Sequence, residues 1–341
     1  MENTIKNTLS VILIVLLFYV ISALSSIIIP LVFALLLSIT FQPLITFLKR
    51  KKIPLVIILP TIIIISLSVI FILSMLLFYS AAQVKKELPE IITLFNLKML
   101  VFFDFFNNNI GDLLDMKIDT AFFLSYFNKD VITSLISKVA KGIGSFTGSF
   151  TMFALYFIIL LASVSNYREF LAFVENKKES QNFVKVFDEI QKSVSSYLKI
   201  KLIISLITGI IVYTVCSLFG LKFALLWAFI SFTLNFIPTI GAIVAVSLPT
   251  LLALVQFNSV WNGIFLFLIL LVIKNLLGNL IEPIITGNKL RLNTITVIFG
   301  LIFWGFLWGI PGMFLSVPLL VIMKLIFEQI PSLSYISRLM S

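Results

Sequence analysis

Lys274 and Glu282 stand eight residues apart at the end of a long apolar run, with Asn275, Gly278 and Asn279 between them and Pro283 immediately after. A charge near the centre of a bilayer costs several kcal/mol, so ionisable groups inside such runs are functional candidates by default. Eight positions are about two helical turns, roughly 12 Å. That is too far for a direct pair and suits a relay through the intervening amides. The competing reading puts Glu282 at the interface, bonded to Lys289 or Arg291, and lets Lys274 snorkel to the surface.

A second polar group sits in Asn235–Pro249, a stretch apolar enough for a bilayer but interrupted by Pro238, Gly241 and Pro249. Lipid tolerates broken backbone only where protein or a water-filled cavity supplies the missing hydrogen bonds. Pro238 cannot donate to the Leu234 carbonyl, and Gly241 lets backbone approach a ligand closely. Asn235 and the helix ends freed beside it suit a small polar, uncharged solute held by hydrogen bonds; a structural kink is the plainer alternative. Trp227…Pro238…Gly241…Pro249 is echoed by Trp304…Pro311-Gly312…Pro318. Paired Gly/Pro-interrupted segments point to a transporter's binding region, which adds Pro311 and Gly312 to the candidate pathway.

Other chemistries are excluded by what the chain lacks. Its 341 residues include no His and one cysteine, Cys216, inside an apolar run. Disulfide frameworks, Cys/His metal sites and a Cys–His nucleophile are therefore ruled out. No Gly-x-x-x-x-Gly-Lys-Ser/Thr pattern is present, so the chain is not itself an ATPase. Asp112, Asp115 and Asp119 do not have the spacing of an EF-hand loop. The reading is of a non-enzyme with no cofactor and no metal.

The elements that must hold these residues are membrane helices. The chain is 60% hydrophobic and 12% charged, with a mean hydropathy of +1.15, whereas a soluble domain is nearer half apolar and about a quarter charged. It reads as an all-α polytopic integral membrane protein. The net charge of +10 lies mainly in short segments between apolar runs, as the positive-inside rule requires, and does not indicate nucleic acid. Lys49-Arg50-Lys51-Lys52 puts its loop in the cytoplasm, and both termini with it.

Residues 1–82 read as N-terminal membrane helices, spanning 9–29, 31–48 and 55–82, with Pro30 at the first turn. Residues 83–145 read as a charge-balanced extracytoplasmic helical insert. Its amphipathic pieces cover 91–106 and 121–139, with a turn at 107–112 between them. Residues 146–201 combine a span over 146–164 with a cytoplasmic amphipathic segment over 165–201. Residues 202–330 form the membrane transport core: a span over 202–219, a broken pair at 223–237 and 242–257, a full span over 258–281, and a second broken pair at 294–308 and 313–330. Residues 331–341 are a cytoplasmic tail. Counting each broken pair as one helix gives about 8 transmembrane segments by hydropathy. That count would turn residues 282–293 outward; with each pair taken as two arms that return to the side they entered from, Phe223 enters from outside and Thr294 from inside, which makes the pairs inverted. Gly144/Gly148 and Gly305/Gly309 are small-xxx-small pairs that leave room for a homo-oligomer.

Three blocks between Asn235 and Glu328 resemble the autoinducer-2 exporter family of bacterial membrane transporters. They are Asn235-Phe236-Ile237-Pro238-Thr239-Ile240-Gly241, then Gly278-Asn279-Leu280-Ile281-Glu282-Pro283 with Gly287, then Phe303-Trp304-Gly305-Phe306 with Pro311-Gly312-Met313 and Val317-Pro318. The resemblance implies a multi-pass secondary transporter of the bacterial inner membrane, exporting autoinducer-2, a quorum-sensing signal, or a similar small polar metabolite. Its partners would be the lipid bilayer, that solute, and a proton or sodium as coupling ion. With no His, protonation of Glu282 is the natural proton step. A sodium/proton antiporter, an activity found among relatives, and a non-transporting membrane scaffold built around the outer insert are the alternatives.

Overall fold

The computed structural model describes residues 2–111, 150–163, 181–286 and 292–341, and every regular element among them is helical. Helices α1 (Glu2–Ala23) and α2 (Ser25–Arg50) meet at Leu24, whose φ of −88° and ψ of 14° depart from helical values. The expected break at Pro30 is absent, because Pro30 lies buried in the second turn of α2. A proline costs one backbone donor, and neighbouring helices can cover the carbonyl it leaves open.

Helix α3 runs without interruption from Leu55 to Phe106, 52 residues, or about 78 Å at helical rise. The segment 91–106, expected as a separate piece of the insert, is thus continuous with the membrane helix. Most residues of Gln83-Val84-Lys85-Lys86-Glu87-Leu88 favour helix, and Pro89, which follows them, is accommodated inside the helix without stopping it. A π-helical turn, Asn107–Gly111, follows where a turn was expected. The expected helix over 121–139 and the Gly144/Gly148 pair lie outside the described residues.

Helix α4 (Phe150–Ser163) is a short apolar helix, packed through Phe157 and Leu161 against Ile58 and Ile62 of α3 and Ala34 and Ile45 of α2. Helix α5 (Gln181–Leu218) is a single 38-residue helix that passes straight through Lys201, where a surface segment was expected to give way to a span.

Helices α6 (Ala224–Leu234) and α7 (Ile240–Gln256) form an antiparallel hairpin. A Cβ on Gly241 would collide with the Leu234 carbonyl, so the two arms touch backbone to backbone at the tip. At the opposite end Gln256 accepts from the Lys222 N–H at 2.8 Å and donates to the Gly220 carbonyl at 2.7 Å, tying the hairpin's base. Helix α8 (Val260–Asn275) continues through a π-helical stretch, Leu276–Ile281, into α9 (Glu282–Thr286).

Helix α10 (Thr294–Gln329) is also folded back on itself. Gly309, at φ 65° and ψ −143°, breaks the helix. Beyond it Gly312 meets the Trp304 carbonyl, Gly305 faces Met313 and Gly300 faces Leu320. Residues 294–308 and 310–329 are therefore antiparallel arms. The short α11 (Ser334–Leu339) braces their base: Asn293 caps the first arm through Thr296 N–H at 2.7 Å and donates to the Leu339 carbonyl at 2.7 Å, while Ser337 donates to Glu328 at 3.2 Å. An Asn at this N-cap position is worth about 1 kcal/mol over Ala.

The two hairpins meet tip to tip. Phe236, at the reversal of the first, stacks on Phe314, just past the reversal of the second, with ring centroids 4.3 Å apart and 20° between planes. Around the second tip Trp304, Trp308, Leu315, Val317 and Val321 pack with Leu36 of α2 and Val194 and Tyr197 of α5. Outward-facing apolar side chains are abundant: Phe306 is 90% exposed, Val56 83% and Leu218 81%. Apolar surface on that scale belongs against lipid. Among the described residues five helices are long and apolar enough to cross a membrane, and three more are apolar but shorter, at Phe150–Ser163, Ala224–Leu234 and Ile240–Gln256.

Candidate functional site

Three elements converge below the tip of the first hairpin. Helix α5 presents Tyr197, Lys201 and Ser205 at successive intervals of four residues, which places them on one face. All three are buried. The hairpin contributes Asn235, α8 contributes Lys274, and α9, into which α8 continues, contributes Glu282.

These side chains close a ring of polar contacts. Asn235 Nδ2 donates to Ser205 Oγ at 3.0 Å, and its Oδ1 accepts from Lys274 Nζ at 2.9 Å. Lys201 Nζ pairs with Glu282 Oε1 at 2.6 Å. The ring therefore runs from α5 to the hairpin tip, to α8, down to α9 and back to α5. Lys274 and Glu282 do not touch each other; each reaches a different partner on the neighbouring elements. The amides between them make their own ladder, Asn279 Nδ2 donating to Asn275 Oδ1 at 2.9 Å and Asn275 to the Leu271 carbonyl at 3.0 Å.

The ring borders a cavity of about 790 Å³, lined among others by Lys201, Asn235, Pro238, Lys274, Asn275, Gly278, Asn279, Glu282 and Pro283. That is ample for a metabolite-sized ligand. A Cβ on Gly278 would meet nothing within 4 Å, so this glycine leaves the wall open. The π-helical stretch beneath it is a geometry that recurs at functional positions.

Three sequence candidates fall elsewhere. Gly241, Pro311 and Gly312 do not line the cavity. Gly241 is instead the close-packing point of the first hairpin and Gly312 that of the second, each against a backbone carbonyl. The Leu234 carbonyl is not free either, since it accepts from the Ile237 N–H at 3.0 Å. The reversal is completed at Thr239, whose φ of 60° and ψ of −66° carry a tight turn with the Ile240 N–H on the Pro238 carbonyl at 2.6 Å. A non-glycine residue in that region stores strain of about 1–3 kcal/mol.

Sequence reading missed Lys201 and Tyr197, having placed both in a cytoplasmic surface segment. The four-residue spacing of Tyr197, Lys201 and Ser205 was the available signal. Lys289 and Arg291, the expected partners of Glu282, lie outside the described residues; the described partner is Lys201. Among the described residues three lysines are buried, Lys201, Lys274 and Lys324, where sequence had singled out one. Among the described residues no group of three or more Asp, Glu, His or Cys side chains is placed to hold a metal ion.

The family model described as AI-2E family transporter matches residues 9–332. The chain belongs to the AI-2E family of transporters. Several relatives match over most of their length. A "Putative transport protein" of Borreliella burgdorferi is 30% identical over 307 residues, 88% of this chain and 81% of the relative. "Putative transport protein YhhT" of Escherichia coli is 28% identical over 308 residues, 90% of this chain and 86% of the relative. "AI-2 transport protein TqsA" of Escherichia coli is 40% identical over 137 residues, 40% of each chain. As a member of the AI-2E family, the chain is an integral membrane transporter, and its partners are the bilayer and a small solute.

Proposed function

We propose that this protein is a secondary transporter of the bacterial inner membrane that exports autoinducer-2 or a similar small polar metabolite through the cavity between α5, the first hairpin and α8. The observation that supports this reading is the cluster of polar and charged side chains in the wall of a cavity inside an otherwise apolar helical assembly, bordered by a hairpin tip that meets a second hairpin. Two broken hairpins approaching one another tip to tip are what inverted halves of a transporter would present. On this reading α6 and α7 enter from outside and the arms of α10 from inside. Each pair then returns to the face it entered from, and the loop Lys49-Arg50-Lys51-Lys52 and both termini lie in the cytoplasm. The candidate pathway residues are Asn235, Pro238, Lys274, Asn275, Gly278, Asn279, Glu282 and Pro283. Gly241, Pro311 and Gly312 serve it as hairpin-forming residues, and a homo-oligomer and a proton or sodium coupling ion complete the reading.

A sodium/proton antiporter fits less well. Glu282 is the sole carboxylate in the described cavity wall and it is held by Lys201. The test is solute-resolved transport in liposomes containing only this protein, with Glu282→Gln and Asn235→Ala alongside. Loss of efflux in these variants is expected; unchanged efflux in both removes the site. Asn288→Cys in a Cys216→Ser background, probed with an impermeant thiol reagent, tests the orientation: labelling from the outside would overturn it.

A further inference from the structure

We infer that the cargo bound in this cavity is a small organic monoanion rich in hydroxyl groups, with Lys274 as its anchor. The inference rests on the transport reading for its biological meaning and on the cavity's charge inventory for its chemistry. Two ammonium groups line the cavity, Lys201 and Lys274, against the single described carboxylate of Glu282. Glu282 is committed to Lys201 at 2.6 Å. Lys274, 8% exposed, donates to the neutral amide oxygen of Asn235 at 2.9 Å, and among the described residues it has no carboxylate in ion-pairing range.

An ammonium withdrawn from water retains an effective penalty of several kcal/mol, which a single neutral acceptor offsets in part. One negative charge on the ligand completes the compensation. A second cation would add repulsion against both lysines, and a neutral solute would leave the imbalance standing. The first turn of α7 adds to the same field, since Thr239, Ala242 and Ile243 line the cavity at the positive end of that helix. Opposite them, Asn275 and Asn279 offer amide groups for hydroxyls on the same ligand.

Binding can be read without transport. Cys216 is the only cysteine in the chain and is fully buried, so a thiol-reactive dye reports unfolding of the purified full-length protein. Sodium gluconate at up to about 100 mM should raise the unfolding midpoint in a saturable way. Glucose, its neutral counterpart, and sodium chloride at matched ionic strength should not. Lys274→Met should raise the half-maximal gluconate concentration about ten-fold or more, the loss expected for a charge-assisted hydrogen bond. Lys274→Arg should retain most of the response, and Lys199→Met, on the exposed side of α5, all of it. An equal shift with glucose, an unchanged response in Lys274→Met, or no shift with gluconate, lactate or phosphate overturns the inference. Stabilisation by gluconate without flux in liposomes would remove the transport reading and leave the anion site. Efflux of neutral solutes without stabilisation by anions would do the reverse.

Discussion

The Lys274 ammonium and the Asn235 amide oxygen meet at 2.9 Å across 39 residues of chain. That contact orients the amide, because Asn235 must turn its oxygen to the ammonium and its nitrogen to Ser205. One side chain thus ties the tip of a broken hairpin to the helices on both sides of it.

Asn235→Ala should destabilise the protein and abolish efflux. The substitution leaves the Lys274 ammonium without its acceptor and the Ser205 hydroxyl without its donor, at a cost of about 1–3 kcal/mol. Thermal unfolding read through Cys216 and efflux from liposomes measure the two effects separately.

The pair Lys201–Glu282 should behave as a unit. Glu282→Gln leaves a buried ammonium, and a loss of about 3 kcal/mol is expected, at the low end for a broken buried pair because the Glu282 side chain keeps 21% exposure. Combining it with Lys201→Met should recover part of that loss, with a coupling energy of about 1–3 kcal/mol in a double-mutant cycle. Strict additivity would show that the pair is not formed.

Gly241→Ala and Gly312→Ala should each disturb a hairpin tip. Both Cβ atoms would collide with a backbone carbonyl, which cannot swing aside as a flexible side chain can. A loss of about 1–3 kcal/mol from overpacking is expected, with raised hydrogen exchange in the affected hairpin. Gly220→Ala makes a useful comparison: its site is open, and the strain there comes only from φ at 66°.

Gly278→Leu should separate function from folding. The added side chain meets open cavity, so stability should change by no more than about 0.5 kcal/mol, while efflux falls to background. Full efflux in a stably folded Gly278→Leu protein would place the solute path elsewhere.

At the base of the first hairpin, Lys98 of α3 donates to the Leu254 and Phe257 carbonyls at the end of α7, and Lys222 pairs with Glu90 at 2.6 Å. The extended part of α3 therefore clamps the base of the first hairpin. Lys98→Met should speed hydrogen exchange across α6 and α7 more than across the arms of α10, as measured by mass spectrometry; equal change in both would sink the clamp.

Much of this arrangement was readable along the chain. Pro238 and Gly241, and Pro311 and Gly312, announced reversals because their backbone chemistry is local and holds in any context. Lys274 and Glu282 stood out for a similar reason, as charges in apolar sequence have few innocent explanations. Lys201 was invisible by the same logic. It sits at the end of a charged amphipathic stretch, and only its packing withdraws it from water.

Composition and spacing settled what needs no partner to decide: a helical membrane protein, two interrupted segments, and a polar stretch from Lys274 to Glu282 between them. Packing settled what depends on distant elements. It joined Glu282 to Lys201 across 81 residues, turned Gly241 from a ligand contact into a hairpin contact, and ran α3 and α5 through their expected ends. The reason is physical. Helical periodicity is written in neighbours three and four residues away, so sequence reports each element's faces. Which face meets which is decided by the burial of surfaces from separate helices, and no local pattern records that choice.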